Sequence, residues 1–212
     1  MSSTENNYEI EIKLQLASFP EYLKLIGFLG NLDREQHQTN CFFDTEDHKL
    51  QNAGWAFRVR VFEDAGLITV KGMPSEEKGT AVVREEIEEE VSRGTALNVV
   101  NLELDVLDLD IKPVTFIRKK FPGIRLAKLL KFTTIRQEKK YKIGDYWYPL
   151  VVDKTEFPDG SVDYELEVEL PDTSHVVRVE DNLRKLFDSL DIPFEKAEES
   201  KFARALKHSR LA

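Results

Sequence analysis

The sequence predicts an α+β fold: an eight-stranded antiparallel β-barrel, closed into a tunnel with a charged interior and surrounded by helices. Three observations predict it. Eight segments alternate apolar and polar side chains with a period of two, the mark of strands whose two faces meet different surroundings. Turn sequences such as "EDAG", "GMPSEEKG", "IGD" and "FPDG" join several of them directly, as antiparallel neighbours require. A sheet of that size also removes its exposed edges by closing on itself.

The elements follow in order. "YEIEIKLQL", residues 8–16, alternates Ile and Leu with Glu9, Glu11, Lys13 and Gln15. A short helix starts at Ser18 as N-cap, with Pro20 in its first turn and Gly27 or Gly30 near its end. Strands are expected at about 38–44, 54–63, 66–71 and 80–91. Residues 95–121 read as mostly helical, with Pro113 opening the last helix and "FPG" closing it. Strands return at 128–142, 146–157 and 161–170. From about Thr173 to Leu190, Val176, Val179, Leu183, Leu186 and Leu190 form one helical stripe, and a final short helix is expected from near Glu198.

Length and composition set the outer limits. At 212 residues, 41% hydrophobic and 33% charged, the chain fits a single globular domain over 1–212, with 1–7 a flexible leader. No apolar run reaches the roughly 20 residues that span a bilayer, so no membrane partner is expected. "MSSTENN" has neither the basic region nor the apolar stretch of a signal peptide, and the lone Cys41 suits a reducing, cytoplasmic setting. A net charge of −9 argues against a nucleic-acid surface. It does not argue against a local anion site where Lys and Arg converge.

The polar faces of the strands carry the functional signal. "WAFRVRVF" sets Arg58 and Arg60 on one face; "LITVK" contributes Lys71; "VVREEIEEE" contributes Arg84, Glu86 and Glu88; "DYELEVEL" aligns Glu165, Glu167 and Glu169. Any one such face could simply be solvated. Together they pair like charges at i and i+2 on nearly every strand, which repel unless a counter-charge lies between them. A closed barrel with these faces inward brings together seven acids (Glu9, Glu11, Glu86, Glu88, Asp153, Glu165, Glu167) and six bases (Lys13, Arg58, Arg60, Lys71, Arg84, Arg136). Such an interior must be wet. It suits a polyphosphate held by Arg and Lys together with Mg²⁺ or Mn²⁺ held by carboxylates.

These residues also resemble a known family. "EIEIK" is similar to the ExExK signature of the CYTH superfamily, the triphosphate tunnel metalloenzymes. The ordered companions "FFDT", "GWAFRVR", "TVK", "REEIE", "TTIRQ", "VVDKTEFPDG", "YELEVE" and "SKF" extend the resemblance from residue 8 to about 205. The resemblance implies an eight-stranded tunnel that hydrolyses a triphosphate with Mg²⁺ or Mn²⁺. It implies substrate binding by Lys13, Arg58, Arg60, Lys71, Arg84, Arg136 and Lys201, and metal binding by Glu165, Glu167, Glu9, Glu11 and Asp153. Glu9, Glu11, Asp153 and Lys201 are the expected catalytic residues, at a second metal, the attacking water or the terminal phosphates. Glu86 and Glu88 are further tunnel acids.

The family includes inorganic, thiamine and nucleoside triphosphatases and a class of adenylate cyclases. In animal thiamine triphosphatases a Trp two residues before the first tunnel Arg stacks on thiamine. Here that position is Ala56, and Trp55 has core-facing parity. The expected reaction is therefore hydrolysis of inorganic tripolyphosphate to diphosphate and orthophosphate, by a monomer or homodimer. Thiamine or nucleoside triphosphatase, adenylate cyclase and a non-catalytic polyphosphate- or nucleotide-binding module are the alternatives. His37, His48, His175 and His208 have no zinc spacing and read as surface residues, and Cys41 as buried. Arg118, Lys119 and Lys120 read as the cationic end of a helix.

Overall fold

The computed structural model describes residues 8–209; the expected leader at 1–7 lies outside the described residues. Eight antiparallel strands close into a ring, with six helices around it among the described residues. The strands are β1 (Tyr8–Leu16), β2 (Arg34–Asp44), β3 (Trp55–Val61), β4 (Ala65–Lys78), β5 (Ala81–Ser92), β6 (Ala127–Ile143), β7 (Tyr146–Glu156) and β8 (Val162–Glu169). Their order is β5-β4-β3-β2-β6-β7-β8-β1, and β1 pairs with β5 to close it. A ninth strand, β9 (Glu195–Lys196), adds two residues beside β1.

The helices are α1 (Phe19–Leu29), α2 (Lys49–Asn52), α3 (Arg93–Val100), α4 (Lys112–Lys120), α5 (Val176–Ser189) and α6 (Lys201–Ser209). The Ser18 hydroxyl accepts from Glu21 N–H at 3.4 Å, and Glu21 reaches back to Ala17 N–H at 2.8 Å. That reciprocal cap fixes where α1 starts. Tyr22, Leu25 and Leu29 of α1 and Val179, Leu183 and Phe187 of α5 bury the apolar face of β1, β7 and β8, including Ile12, Leu14, Leu150 and Leu166. A second core lies outside β3 and β4, where Phe57, Val59, Ile68 and Val70 meet Ala96 and Val99 of α3 and Val114 and Ile117 of α4. Apolar side chains thus face outward under helices, and the charged faces turn inward.

Three expectations are corrected. "GMPSEEKG" is not a turn: β4 runs on through Lys78, and the turn lies at Gly79, whose φ is +60°. Pro74, which has no N–H to pair, is absorbed by register shifts on either side of it. The last helix begins at Lys201, not near Glu198. His175 is not a surface residue: it is buried and shares a 2.5 Å hydrogen bond with the Tyr148 hydroxyl.

The inner face is also less uniformly charged than the strand pattern suggested. Phe42, Leu130, Phe132 and Phe157 follow the parity of Asn40, Thr134 and Asp153, and they pack with Phe202, Ala205 and Leu206 of α6. One stretch of the inner wall is therefore an apolar seat for the C-terminal helix.

Candidate active site

The ring encloses a cavity of about 630 Å³, bordered by β1–β6 and β8 and by the segment leading into α6. Alternation along each strand delivers Glu9, Glu11 and Lys13 from β1, Arg58 and Arg60 from β3, Lys71 from β4, and Arg84, Glu86 and Glu88 from β5. Arg136 of β6, Glu167 of β8 and Lys201 of α6 complete the set at the cavity wall. Asp153 and Glu165 do not reach the lining; they lie behind it, 0% and 1% exposed.

The cations fall into two groups. Most are matched by carboxylates: Lys71 donates to both Glu9 oxygens at 2.8 and 2.9 Å and lies 3.1 Å from Glu86. Arg84 lies 3.1 Å from Glu11, and Lys13 lies 2.9 Å from Glu11 and 2.5 Å from Glu167. Arg58 and Arg60 are different. Arg58 reaches only the Thr69 hydroxyl, at 3.4 Å, with its Nε unpartnered; Arg60 donates from Nε to Asn40 Oδ1 at 3.0 Å. Among the described residues neither forms a carboxylate ion pair. Burial pulls both guanidinium pKa values below their ordinary range; Arg136 adds like-charge repulsion to each, and Arg58 adds more to Arg60. An anion between them would remove that penalty.

The carboxylates gather around a different point. One oxygen each from Asp153, Glu165 and Glu167 lies within 4.8 Å of the other two. Arg136 chelates Asp153 through Nε at 2.9 Å and Nη2 at 2.6 Å, and also hydrogen-bonds Glu167. Burial pushes the Glu167 carboxyl up, but Lys13, Lys201 and Arg136 overcome it and hold it well below the usual range. Asp153 is held low in the same way by Arg136 and Lys201. For Glu165 burial prevails and the pKa rises, against the pull of Lys201 and Lys13. Three oxygen donors of this kind suit a hard divalent cation; Glu165 Oε1, buried, lies 2.8 Å from the Lys201 ammonium. Glu9 and Glu11 lie in the Lys71, Arg84 and Lys13 ion pairs, and Lys13 joins Glu11 to Glu167 of the triad.

Two residues of the site, Arg204 and Asn40, escaped the sequence reading. Arg204, three positions after Lys201 on α6, pairs with Asp163 at 2.5 Å and hydrogen-bonds Glu165; the i, i+3 spacing was its signal. Asn40 aims Arg60 and donates to the Thr134 hydroxyl at 3.4 Å. Glu169 continues the Glu165, Glu167 series to the cavity edge, where burial and the nearby Glu9 and Glu86 raise its pKa. Trp55 packs on Phe116 of α4, ring centroids 4.8 Å apart, under the Lys120 ammonium, and its ring edge borders the cavity beside Gly72.

Comparisons with known proteins agree with this architecture. The CYTH domain model matches residues 7–205. The candidate adenylyl cyclase HpAC1 from Hippeastrum, described as having a dominant triphosphatase activity, superposes with a TM-score of 0.84 at 24% identity, covering 94% of this chain and 95% of that one. A candidate adenylate cyclase from Bacillus halodurans gives a TM-score of 0.70 at 22% identity, over 93% and 97% of the two chains. The PH1819 protein of Pyrococcus horikoshii gives 0.61 at 16%, over 93% and 98%. At these identities the likeness is one of fold. A search of curated proteins finds no match.

Proposed function

The chain belongs to the CYTH family, and from that premise we propose that it hydrolyses the terminal phosphoanhydride of a triphosphate, with inorganic tripolyphosphate as the preferred substrate. One observation carries the reading: Arg58 and Arg60 line the cavity without a carboxylate ion pair among the described residues, while the same ring holds a carboxylate triad. A binding module needs the first feature and not the second, because unneutralised carboxylates weaken anion binding. The triphosphatase activity described for HpAC1 supports the same direction. Ala56 before Arg58 and the outward packing of Trp55 on Phe116 leave no stacking platform at the position that would favour thiamine triphosphate.

In this reading Arg58, Arg60 and Arg136 grip successive phosphates, and Asn40 holds the Arg60 fork in line. Lys13, Lys71 and Arg84 add positive potential along the wall. A divalent ion, Mg²⁺ or Mn²⁺, held by Asp153, Glu165 and Glu167 would neutralise phosphoryl charge and acidify a water. Phosphoanhydride hydrolysis needs little more, since positioning and charge neutralisation supply most of the acceleration. Glu9 and Glu11, fixed by Lys71, Arg84 and Lys13, would orient the water that attacks the terminal phosphorus.

Orthophosphate release from tripolyphosphate, ATP and thiamine triphosphate, each with Mg²⁺ and with Mn²⁺, tests the proposal. Tripolyphosphate should be turned over fastest. Equal or faster release from thiamine triphosphate overturns the ranking, and no release from any of the three overturns the reaction.

A further inference from the structure

Lys201 occupies an unexpected position for a residue assigned to the triphosphate. Its ammonium hydrogen-bonds Asp153 and lies 2.8 Å from Glu165 and 3.1 Å from Glu167, so it touches all three carboxylates of the triad. It also lines the cavity, whereas Asp153 and Glu165 lie behind the wall. Lys201 therefore stands between the cavity and two of the three carboxylates.

The other cations around the triad act differently. Arg136 clasps both Asp153 oxygens, Lys13 holds Glu167 at 2.5 Å, and Arg204 reaches Glu165 Oε2. Each carboxylate thus has its own anchor besides Lys201. Those anchors preserve the triad's geometry if Lys201 leaves. Lys201 is also the one whose charge is a compact ammonium on a flexible stem at the first residue of a terminal helix. A divalent cation at the same oxygens would lie within a few ångströms of that ammonium, and like charges so close repel strongly in a poorly solvated site.

We infer that Lys201 and the divalent cation compete for the same three carboxylates, so that Lys201 is a positioning residue the metal must displace. The inference rests on the metal site proposed above. Displacement from the triad frees the ammonium to turn toward the cavity it already lines, where the triphosphate would be. Metal loading and the delivery of one more positive charge to the substrate then become a single event.

The competition makes a counter-intuitive prediction: removing Lys201 tightens metal binding. Mn²⁺ alone, without substrate, is titrated into wild type and Lys201→Met by isothermal calorimetry, with free Mn²⁺ followed by electron paramagnetic resonance. Lys201→Met should bind Mn²⁺ about tenfold more tightly, the scale on which one close charge pair acts. Lys207→Met, on the same helix but paired with Glu199 outside the triad, should match wild type. Lys201→Gln gives the same reading if the methionine variant fails to fold. Equal or weaker Mn²⁺ binding by the Lys201 variants overturns the competition, as does absence of Mn²⁺ binding to wild type and variants alike. Turnover of tripolyphosphate by wild type is scored separately. Turnover without the affinity gain removes this inference alone, and the gain without turnover removes the reaction alone.

Discussion

Replacing Arg58 or Arg60 with Ala should lower kcat/KM for tripolyphosphate by about 100-fold, the usual loss when one preorganised donor to a reacting anion is removed. Steady-state kinetics on folded variants checks this, and a loss below threefold would remove the guanidinium pair from the site. Glu167→Gln should abolish metal-dependent turnover while leaving the circular dichroism spectrum unchanged, since it keeps volume and removes only charge. Cys41 gives a pH prediction of known sign. Burial pushes its thiol up to about 11 from an ordinary 9.0. The folded state therefore holds a proton that the unfolded chain releases first, so the thiol's contribution is fully present below about pH 9. It is lost as pH rises through about 11. The urea stability of wild type relative to Cys41→Ala should fall between about pH 9 and 11, and a flat difference would refute it. At this scale the sequence was informative about charge and blind to partners. Period two put Arg58 and Arg60 on one face, but nothing in "WAFRVRVF" says that Asn40 aims one of them. His175 read as a surface residue because its partner, Tyr148, is 27 positions away in sequence.

Among the elements, the segment between β2 and α2 shows how a motif can be structural. Asp44 is buried, and its carboxylate accepts from the backbone N–H groups of Thr45 at 2.7 Å, Leu50 at 2.9 Å and Gln51 at 3.0 Å. Asp44→Ala would leave these donors without their acceptor and should cost about 1–3 kcal/mol. Equilibrium urea unfolding measures it as a lower midpoint with an unchanged slope; an unchanged midpoint counts against the role. Most elements were legible because their apolar periodicity reports a buried face. The α5 stripe is the clearest case, with Val176, Val179, Leu183 and Leu186 all buried. β4 was shortened because Gly72, Pro74 and Ser75 look like a turn, and only pairing with β5 across the bulges keeps that stretch extended. The apolar residues of α6 gave no hint that they would be seated against the inner wall, because the aromatic residues they meet come from β2, β6 and the β7–β8 connection.

For the whole molecule, closure is the governing fact. β1 and β5 would be sheet edges in an open arrangement; their antiparallel register from Tyr8↔Glu85 to Ile12↔Ala81 removes both. Amide hydrogen exchange should show β5 residues 81–85 protected to the same order as the central strands β6 and β7. Rapid exchange there would mean an open sheet. The closed fold was legible from the number of alternating strands and from the charge that only an enclosed, wet interior can hold. The division of that interior was not. It separates into an unmatched guanidinium pair, a carboxylate triad and an apolar seat because eight strands and one helix meet in three dimensions, and no single strand carries that information.

Closure also dictates when the site can exist. β1 pairs along β8, and Lys13 meets Glu167 across a sequence separation of 154 residues. Lys201 joins them only from the final helix. On the ribosome, β1 must therefore wait for β8 until at least residue 169 has emerged, with Glu9, Glu11 and Lys13 solvated and its apolar side uncovered. Nascent chains stalled before residue 201 should carry Asp153, Glu165 and Glu167 without the ammonium that touches all three, however much of the sheet has already formed. The site is thus completed long after β1, which supplies Glu9, Glu11 and Lys13, has been translated.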